Sequence, residues 1–246
     1  MDSTGVYVYA VTRAGHPPPA AGLGLGGSAA AVRLLTQAGL TAVVGTAPAH
    51  LRARRRDLMA HQTLLEDLSL HGPVLPMRFG VVSPDDNTVL AGAVARRDEY
   101  LAALERIDGQ VEMNLKAMPS EGSLADLVRE DKQVRRLREE VRRRPGYEAS
   151  VRLGEAVAPG LRRRARQLAD HVADALGELA TEVRQGPDVE GCALNVSYLV
   201  RNKDLDRFSG TVEEWAAAQP GRAVLRLTGP LPCYSFVPSD AAPAGV

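Results

Sequence analysis

The segment Gly72-Pro-Val-Leu-Pro-Met-Arg-Phe-Gly-Val-Val82 decides how this chain is expected to fold. Its apolar side chains recur at every second position, at Leu75, Met77, Phe79 and Val81, which predicts a strand with one buried face. The two prolines of the segment cannot donate hydrogen bonds to a neighbouring strand. We therefore expect this strand to lie near the edge of a sheet.

A shorter form of the same pattern returns late in the chain, at Gly229-Pro-Leu-Pro-Cys-Tyr-Ser-Phe236. Both stretches open on Gly-Pro, carry a second proline and include a phenylalanine. The similarity of the two stretches suggests two α+β units that each end in a proline-containing strand, although two short matches also arise by chance.

Hydrophobic periodicity assigns the remaining elements. It predicts helices whose starts are marked by Ser28, Ser83 and Ser123 as capping residues. The expected strands are residues 6–11, 40–45, 111–118, 194–200 and 223–228, with 231–237 as a continuation or partner of the last. The expected helices are residues 29–38, 48–70, 83–106, 123–144, 159–184 and 211–219.

The expected fold class is α+β, with two domains and mainly antiparallel sheets. The strands alternate between apolar and polar residues, as at 111–118, where Glu112, Asn114 and Lys116 are expected to point outward; a doubly wound parallel sheet has continuously apolar strands instead. The second half reads strand, helix pair, strand, helix, strand, which resembles a ferredoxin-like arrangement with one strand missing or replaced by helix.

The expected domain limits follow from this order of elements. Residues 1–108 form an N-terminal α+β domain with a connecting helix, and residues 109–238 form a modified ferredoxin-like domain. A long antiparallel helical hairpin occupies about 123–185 of the second domain, because both of its helices carry heptad-like apolar seams. Residues 239–246 are expected to be a flexible tail.

Composition excludes several classes of function. Lysine plus arginine equals aspartate plus glutamate at 30 each, so the overall charge does not favour a nucleic-acid or membrane partner. The two cysteines, Cys192 and Cys233, lie in apolar strand-like runs and are interpreted as reduced, buried thiols. The chain has neither a secretory leader nor a run long enough to span a membrane, so we expect a soluble cytoplasmic protein.

No motif predicts a catalytic residue, a cofactor or a metal. Gly22, Gly24 and Gly27 match a dinucleotide-binding spacing, but residues 12–21 separate them from the preceding strand, so we reject that interpretation. No two histidines have the spacing of a metal site, and a site assembled from distant residues stays open. His61 and His171 are interpreted as helix-surface residues.

Clustered arginines on the two hairpin helices are the one electrostatic signal. If the helices pair antiparallel, positive charge is concentrated at one end of the hairpin. Three interpretations stay open. The arginines form a face that is neutralised by the interleaved acidic residues Glu130, Asp131, Glu139 and Glu140, or a basic patch for an acidic protein partner, or a site for RNA. Few aromatic residues are present to stack on RNA bases. The arginines are Arg135, Arg136, Arg138, Arg142, Arg143 and Arg144 on the first helix and Arg162, Arg163, Arg164 and Arg166 on the second.

Five segments in order resemble the gas vesicle protein GvpL/GvpF family, and the match extends over nearly the whole chain. They are the tyrosine-bearing first strand, Gly72-Pro-Val-Leu-Pro-Met-Arg-Phe-Gly80, Val111-Glu-Met-Asn-Leu-Lys116, Leu194-Asn-Val-Ser-Tyr-Leu-Val200 and Gly229-Pro-Leu-Pro-Cys-Tyr-Ser-Phe236.

The resemblance implies a non-catalytic accessory protein of the gas vesicle. Such a protein is expected to bind the small hydrophobic shell protein (GvpA-like), and other accessory gas vesicle proteins, and to aid nucleation or assembly; neither nucleic acid nor membrane is expected as a partner. It also implies a modified ferredoxin-like second domain with a helical excursion. It supplies no catalytic residues and attaches no function to the glycine-rich loop, residues 16–27.

Apolar shell surface aggregates unless it is covered, so sheet edges or the hairpin are expected to cover it, with strand addition at a proline-blunted edge as one mode. Arg78, Trp215, Leu231 and Tyr234 are the candidate partner-binding residues. The alternative function is a small-molecule-binding or enzymatic ferredoxin-like domain, with Arg78 or a hairpin arginine holding an anion in a cleft between sheet and hairpin.

Overall fold

The computed structural model describes residues 5–26, 31–48 and 51–238. Its contacts divide into two compact units: the described residues of Met1–Glu112 and Pro230–Val246 form one, and Met113–Gly229 form the other. This division groups residues 230–238 with the first unit, whereas the sequence grouped them with the second. The domain limits stay a prediction, and the expected tail at 239–246 lies outside the described residues.

The first unit is built around one antiparallel sheet. The strands follow the spatial order β2-β3-β1-β4, and β5 also pairs with β1. The elements are β1 (Val6–Arg13), β2 (Arg33–Gln37), β3 (Leu40–Thr46), α1 (Arg55–Ser69), β4 (Leu75–Pro76), β5 (Val82–Ser83), α2 (Asp86–Ala95) and α3 (Arg97–Arg106).

The proline-rich segment lies at the sheet edge, as the prolines predicted, but it is not a continuous strand. Pro76 pairs with Ala10, and Val82 pairs with Tyr7. Pro76 and Val82 are six positions apart, whereas their partners on β1 are only three positions apart. The segment between β4 and β5 therefore contains three extra residues, which form a loop. The expected alternation is wrong, because Val74 and Pro76 are buried as well as Leu75 and Met77.

The helix expected at residues 29–38 is wrong over its described part, which forms β2 and its turn. Gln37 pairs with Leu40, leaving Ala38 and Gly39 as a two-residue hairpin loop. Their φ angles are 51° and 83°. Positive φ at both positions gives the twist that a tight antiparallel hairpin needs.

The helices of the first unit start later than expected. α1 begins at Arg55 and not at residue 48. α2 is capped by Asp85, whose Oδ1 accepts a 2.7 Å hydrogen bond from the Thr88 N–H, whereas the expected cap Ser83 lies in β5. Arg96 then separates α2 from α3, so the expected single helix is two.

The second unit has the complete order β-α-β-β-α-β of a ferredoxin-like fold. Its strands follow the spatial order β7-β8-β6-β9. The elements are β6 (Gln110–Pro119), α4 (Leu124–Glu130), α5 (Lys132–Arg143), α6 (Tyr147–Gly177), β7 (Glu182–Gln185), β8 (Leu194–Arg201), α7 (Leu205–Ala218) and β9 (Ala223–Leu231). The α+β class is confirmed: the described residues form two antiparallel sheets and seven α-helices.

The strand expected to be missing is β7. The sequence assigned residues 159–184 to one helix, but α6 ends at Gly177, and the Thr181 N–H donates to the Leu199 carbonyl at the start of the β7–β8 pair. α6 instead begins at Tyr147 and contains Pro159. The sequence placed Pro159 at the helix start because proline interrupts an internal turn.

Two further expectations at the end of the chain are wrong. Leu231 ends β9, but residues 232–237 do not continue as a strand, because Tyr234–Phe236 is a single turn of 3-10 helix. Glu112, expected to face solvent, is 4% exposed. Its carboxylate accepts bonds of 2.7 Å from both the backbone N–H and the hydroxyl of Ser235, which explains how a carboxylate is buried here.

The two cysteines are free thiols; Cys233 is buried and Cys192 is half-buried in a turn. Of the helices in the described part of the chain, none combines the length and the apolar character needed to cross a bilayer.

Candidate functional site

A buried histidine connects three segments of the first unit. His61 of α1 is 3% exposed, so its interpretation as a helix-surface residue is wrong. Its Nδ1 lies 2.9 Å from the Tyr7 hydroxyl and its Nε2 lies 3.1 Å from the Met77 carbonyl. Because a carbonyl accepts only, Nε2 carries the proton, and Nδ1 accepts from Tyr7. The Tyr7 oxygen accepts in turn from the Gly80 N–H at 3.2 Å.

Tyr9 extends this network to the glycine-rich loop. Its ring stacks on His61 with centroids 5.8 Å apart, and its hydroxyl accepts a 2.8 Å bond from the Leu25 N–H. The side chain of a residue other than glycine at position 24 would meet the Tyr9 hydroxyl, because a Cβ there would lie 3.0 Å from it. The network thus holds β1, α1, the glycine-rich loop and the edge segment together.

Burial keeps these groups neutral. It lowers the pKa of His61, against the opposing effect of the Met77 hydrogen bond, and raises the pKa of Tyr7 to about 12. Burial raises the pKa of Cys233 to about 12 as well. Groups that neither charge near neutral pH nor meet solvent are suited to holding structure rather than to moving protons.

The four candidate partner-binding residues lie in different surroundings. Arg78 is exposed in the loop between β4 and β5, and Leu231 is half-buried at the end of β9. Tyr234 is half-buried and packs against the core of the first unit, as does Phe79 beside Arg78. Trp215 belongs to the second unit, where it is half-buried on α7 and stacks on His171. His171 is exposed, as the sequence predicted. Partner binding by these four residues stays a prediction.

A cavity of about 520 Å³ lies between the glycine-rich loop and α1. Sequence reasoning assigned no role to this loop. The charged side chains among the described lining residues, Arg56 and Asp57, pair with each other at 3.3 Å. Arg78 and the hairpin arginines do not line it, so the cavity does not correspond to the expected anion cleft. The lining residues are Gly22, Leu23, Gly24, Gly26, Arg56, Asp57, Ala60 and Thr63.

Three of the four clustered arginines of α6 are ion-paired, which corrects the expected concentration of charge at one end of the hairpin; the fourth, Arg162, is exposed and has no ion pair among the described residues. Because α6 begins at Tyr147, its later arginines lie beside α4 and the start of α5. Arg164 is 9% exposed; it pairs with Glu130 and Asp126, and its Nε donates to the Ser123 hydroxyl at 3.2 Å. Arg163 lies 3.6 Å from Asp131. In this part of the hairpin, acidic side chains therefore neutralise the paired arginines, which is the first of the three interpretations.

The second sheet ends in two unequal edge strands. β9 has nine residues, and β7 has four. Each exposes one valine to the same extent: Val224 of β9 and Val183 of β7 are both 48% exposed. Since an edge strand carries unpaired backbone N–H and C=O groups, β9 offers the longer template for another strand. Across residues 5–26, 31–48 and 51–238, no three or more His, Cys, Asp or Glu side chains are grouped to hold a metal ion.

Comparisons with known proteins all identify the same protein family. Residues 5–238 match the family model described as "Gas vesicle synthesis protein GvpL/GvpF". The chain is 41% identical over 236 residues to gas vesicle protein F of Streptomyces sp. (strain CB03234), covering 94% of this chain and 98% of that protein. It is 33% identical over 249 residues to gas vesicle protein L of the same strain, covering 94% and 91%.

Two crystal structures share the fold. GvpF from Anabaena sp. PCC7120 superposes with a TM-score of 0.73, and GvpF from Microcystis aeruginosa with 0.70. Each superposition covers 95% of this chain and 98% of the GvpF chain, and the two sequences are 21% identical in both cases.

Proposed function

The chain belongs to the GvpL/GvpF family of gas vesicle synthesis proteins, and from this premise we propose that it is a non-catalytic accessory protein that binds the hydrophobic, GvpA-like shell protein and aids its nucleation or assembly. The family is a structural one and not a known family of enzymes. The site of action is the growing gas vesicle in the cytoplasm, where other accessory gas vesicle proteins are further partners.

The edge strand β9 is the observation that carries this proposal. Val224 is 48% exposed, and Leu225, Leu227 and Leu231 are half-buried along the same strand. An edge that combines unpaired backbone groups with apolar side chains binds an extended segment by strand addition. The backbone bonds give affinity, and the side chains select an apolar partner.

A shell subunit needs such a partner before it polymerises. Its apolar surface is not yet covered by neighbouring subunits, and exposed apolar surface of this kind aggregates in water. β9 covers part of that surface with backbone pairing, while the position of Leu231 at the strand end adds an apolar contact. Of the four candidate residues, Leu231 is the one that β9 itself contains.

The surroundings of the reactive groups support a binding role rather than chemistry. His61, Tyr7 and Cys233 are buried and neutral, and the first two are occupied by hydrogen bonds that hold the edge segment to the sheet. These bonds fix the edge of the first sheet, and an edge that is held in this way is less prone to pair with wrong partners.

Capture of the shell protein by two single variants tests the proposal. Val224→Lys places a charge on the β9 edge and is expected to reduce capture about tenfold, because an edge lysine opposes strand pairing. Val183→Lys makes the same change at a position of equal exposure on β7 and is the matched control.

The comparison of the two variants decides whether β9 is the binding edge. Both substitutions are at exposed sites and should leave the free energy of unfolding within about 0.5 kcal/mol of wild type. Equal capture by all three proteins, or an equal loss in both variants, would reject β9 as the binding edge. Absence of capture by the wild type, relative to an unrelated soluble protein, would reject the function.

A further inference from the structure

Helix α5 carries a stripe of arginines without acidic partners. Arg135, Arg138 and Arg142 are exposed, and within the described part of the chain no carboxylate pairs with any of them. Arg135 makes a single 3.4 Å hydrogen bond, to the Arg129 carbonyl. At 3.6 residues per turn the three side chains lie within about 60° of one another around the helix axis. They form one basic line along one flank of α5.

The neighbouring positions of α5 follow the opposite pattern. Arg136 and Arg143 are separated by Glu139 and Glu140 at helical spacings, so charges of both signs alternate there. Glu140 is also ion-paired, to Arg152 of α6 at 2.6 Å. The flank of α5 that carries Arg135, Arg138 and Arg142 therefore contains no acidic residue, whereas the flank that carries Arg136 and Arg143 contains two.

The hairpin segment that carries the stripe is poorly buried. Val134 is the one fully buried residue of α5, and the first half of α6 buries only Ala149 and Gly160. Tyr147, where α6 begins, is 85% exposed. This part of the hairpin is therefore accessible within the second unit, and Tyr147 adds an exposed aromatic ring five positions after Arg142.

The spacing of the three arginines has an energetic cost, of which Glu139, four positions after Arg135 and three before Arg142, offsets a part. Like charges three and four positions apart destabilise a helix, and Arg135, Arg138 and Arg142 form two such pairs in succession. Arg163 and Arg164 on the same hairpin are matched to acids. Like charges at these spacings are typical of a binding site, where the charges of a partner protein compensate the repulsion.

We propose that the Arg135–Arg138–Arg142 stripe docks an acidic amphipathic helix of a partner protein, with carboxylates spaced i, i+3 and i+7. That spacing places one carboxylate opposite each guanidinium, and Arg binds a carboxylate through two parallel hydrogen bonds. Tyr147 supplies an adjoining apolar contact. The inference depends on α5 and the start of α6, and it holds whether or not β9 binds the shell protein.

A protein helix fits this surface better than nucleic acid does. The affinity of a protein for nucleic acid grows with the number of phosphates that its cations neutralise, commonly about six to ten, whereas the stripe offers three cations. Tyr147 is a single aromatic residue, too little for a series of stacked bases. The chain as a whole is neutral, so its overall charge does not favour a nucleic-acid partner.

The test is fluorescence anisotropy with a labelled helical peptide of about 20 residues, long enough to be helical on its own. The probe has glutamates at i, i+3 and i+7 on an alanine and glutamine background. A second peptide of the same composition has its glutamates spread around the helix. The wild-type protein is expected to bind the first peptide about tenfold more tightly in about 150 mM salt, since three ion pairs add up to that difference.

Three variants identify the residues. Replacing Arg135, Arg138 and Arg142 by glutamine should abolish the preference, and replacing them by lysine should retain part of it. Replacing Arg136 and Arg143 by glutamine removes charge from the alternating stripe and should leave binding within about twofold. Helical circular dichroism of each variant confirms that it is folded.

Equal binding of the two peptides by the wild type would overturn the proposal. An equal loss in the Arg136 and Arg143 variant would do so too, since the effect would then be one of total charge. Tighter binding of a single-stranded DNA or RNA oligomer of about 20 nucleotides than of the peptide, with a steep dependence on salt, would assign the stripe to nucleic acid instead.

Discussion

The hydroxyl of Tyr7 lies 2.9 Å from Nδ1 of His61, 54 positions away in the sequence. Through this bond and the bond from His61 to the Met77 carbonyl, β1, α1 and the edge segment are connected. Burial lowers the pKa of His61 and so favours the neutral imidazole, in which the unprotonated Nδ1 accepts from the tyrosine.

Stability is therefore expected to fall in mild acid. The pKa of His61 is lowered by burial in the folded state, so below its usual value of 6.5 the unfolded chain binds more protons than the folded one. The free energy of unfolding should decrease as the pH falls from 6.5 toward the lowered pKa and then level off. Urea unfolding of wild type and His61→Gln across this window checks the effect.

The His61→Gln variant should be less stable than wild type near neutral pH and should lose most of this pH dependence. His171→Gln, at an exposed histidine on α6, is the control and should keep the wild-type slope. If His61→Gln and wild type show the same slope below pH 6.5, the histidine is not held neutral.

Glu112 and Ser235 predict a second effect on stability. The Glu112 carboxylate accepts two bonds of 2.7 Å from Ser235, one from its N–H and one from its hydroxyl. Glu112→Gln places an amide donor against these donors and should cost about 1–3 kcal/mol of unfolding free energy, while Ser235→Ala should cost about 1 kcal/mol. Glu105→Gln on the exposed side of α3 is the matched control, and a comparable loss there would contradict the assignment.

Arg164 predicts how the hairpin is held. Its guanidinium is buried and contacts Ser123, Asp126 and Glu130. Because both carboxylates are substantially exposed, Arg164→Met should cost about 1–3 kcal/mol, less than breaking a fully buried ion pair. Arg163→Met removes an exposed arginine 3.6 Å from Asp131 and should change the unfolding free energy by less than about 1 kcal/mol. Thermal and urea unfolding of both variants separates the two outcomes, and equal losses would contradict a special role for Arg164.

The β2–β3 turn predicts two changes of opposite sign. Ala38 has a φ of 51°, which is unfavourable for a residue with a Cβ by about 1–2 kcal/mol. Ala38→Gly should therefore stabilise the protein, by somewhat less than this figure because glycine also loosens the unfolded chain. Gly39→Ala, at a φ of 83°, should destabilise it. Thermal unfolding measures both, and destabilisation by Ala38→Gly would contradict the turn geometry.

The sequence predicted those elements whose evidence is local. Strands β6 and β8 alternate apolar and polar residues over most of their length, and both formed where expected. The edge position of residues 72–82 followed from two prolines alone. These signals are carried by neighbouring residues, so the periodicity of the chain is sufficient to find them.

The failures came from contacts that the sequence does not display. The alanines and leucines before Gly39 favour helix, but the turn at Ala38 and pairing with β3 impose a strand. Residues 182–185 continue the helical pattern of α6, yet pairing with β8 makes them β7. Tertiary context overrode local propensity in both places.

The candidate site shows the same division. The partners of His61 and Arg164 lie tens of positions away, so nothing nearby in the sequence marked either residue as buried. Arg78, Trp215, Leu231 and Tyr234 were chosen as residue types suited to an interface, and their role stays a prediction. The α5 stripe was visible as clustered arginine, but its separation from the neutralised arginines required the start of α6 at Tyr147.

The most direct test of the account is whether this protein keeps the shell protein soluble in a stoichiometric manner. Shell protein diluted from denaturant is centrifuged with increasing amounts of this protein, and the soluble fraction is measured. The account predicts that this fraction rises with the molar ratio and saturates at a fixed ratio, and that Val224→Lys shifts the curve while Val183→Lys does not. No increase over an unrelated soluble protein, or full solubility at amounts far below one protein per shell subunit, would contradict it.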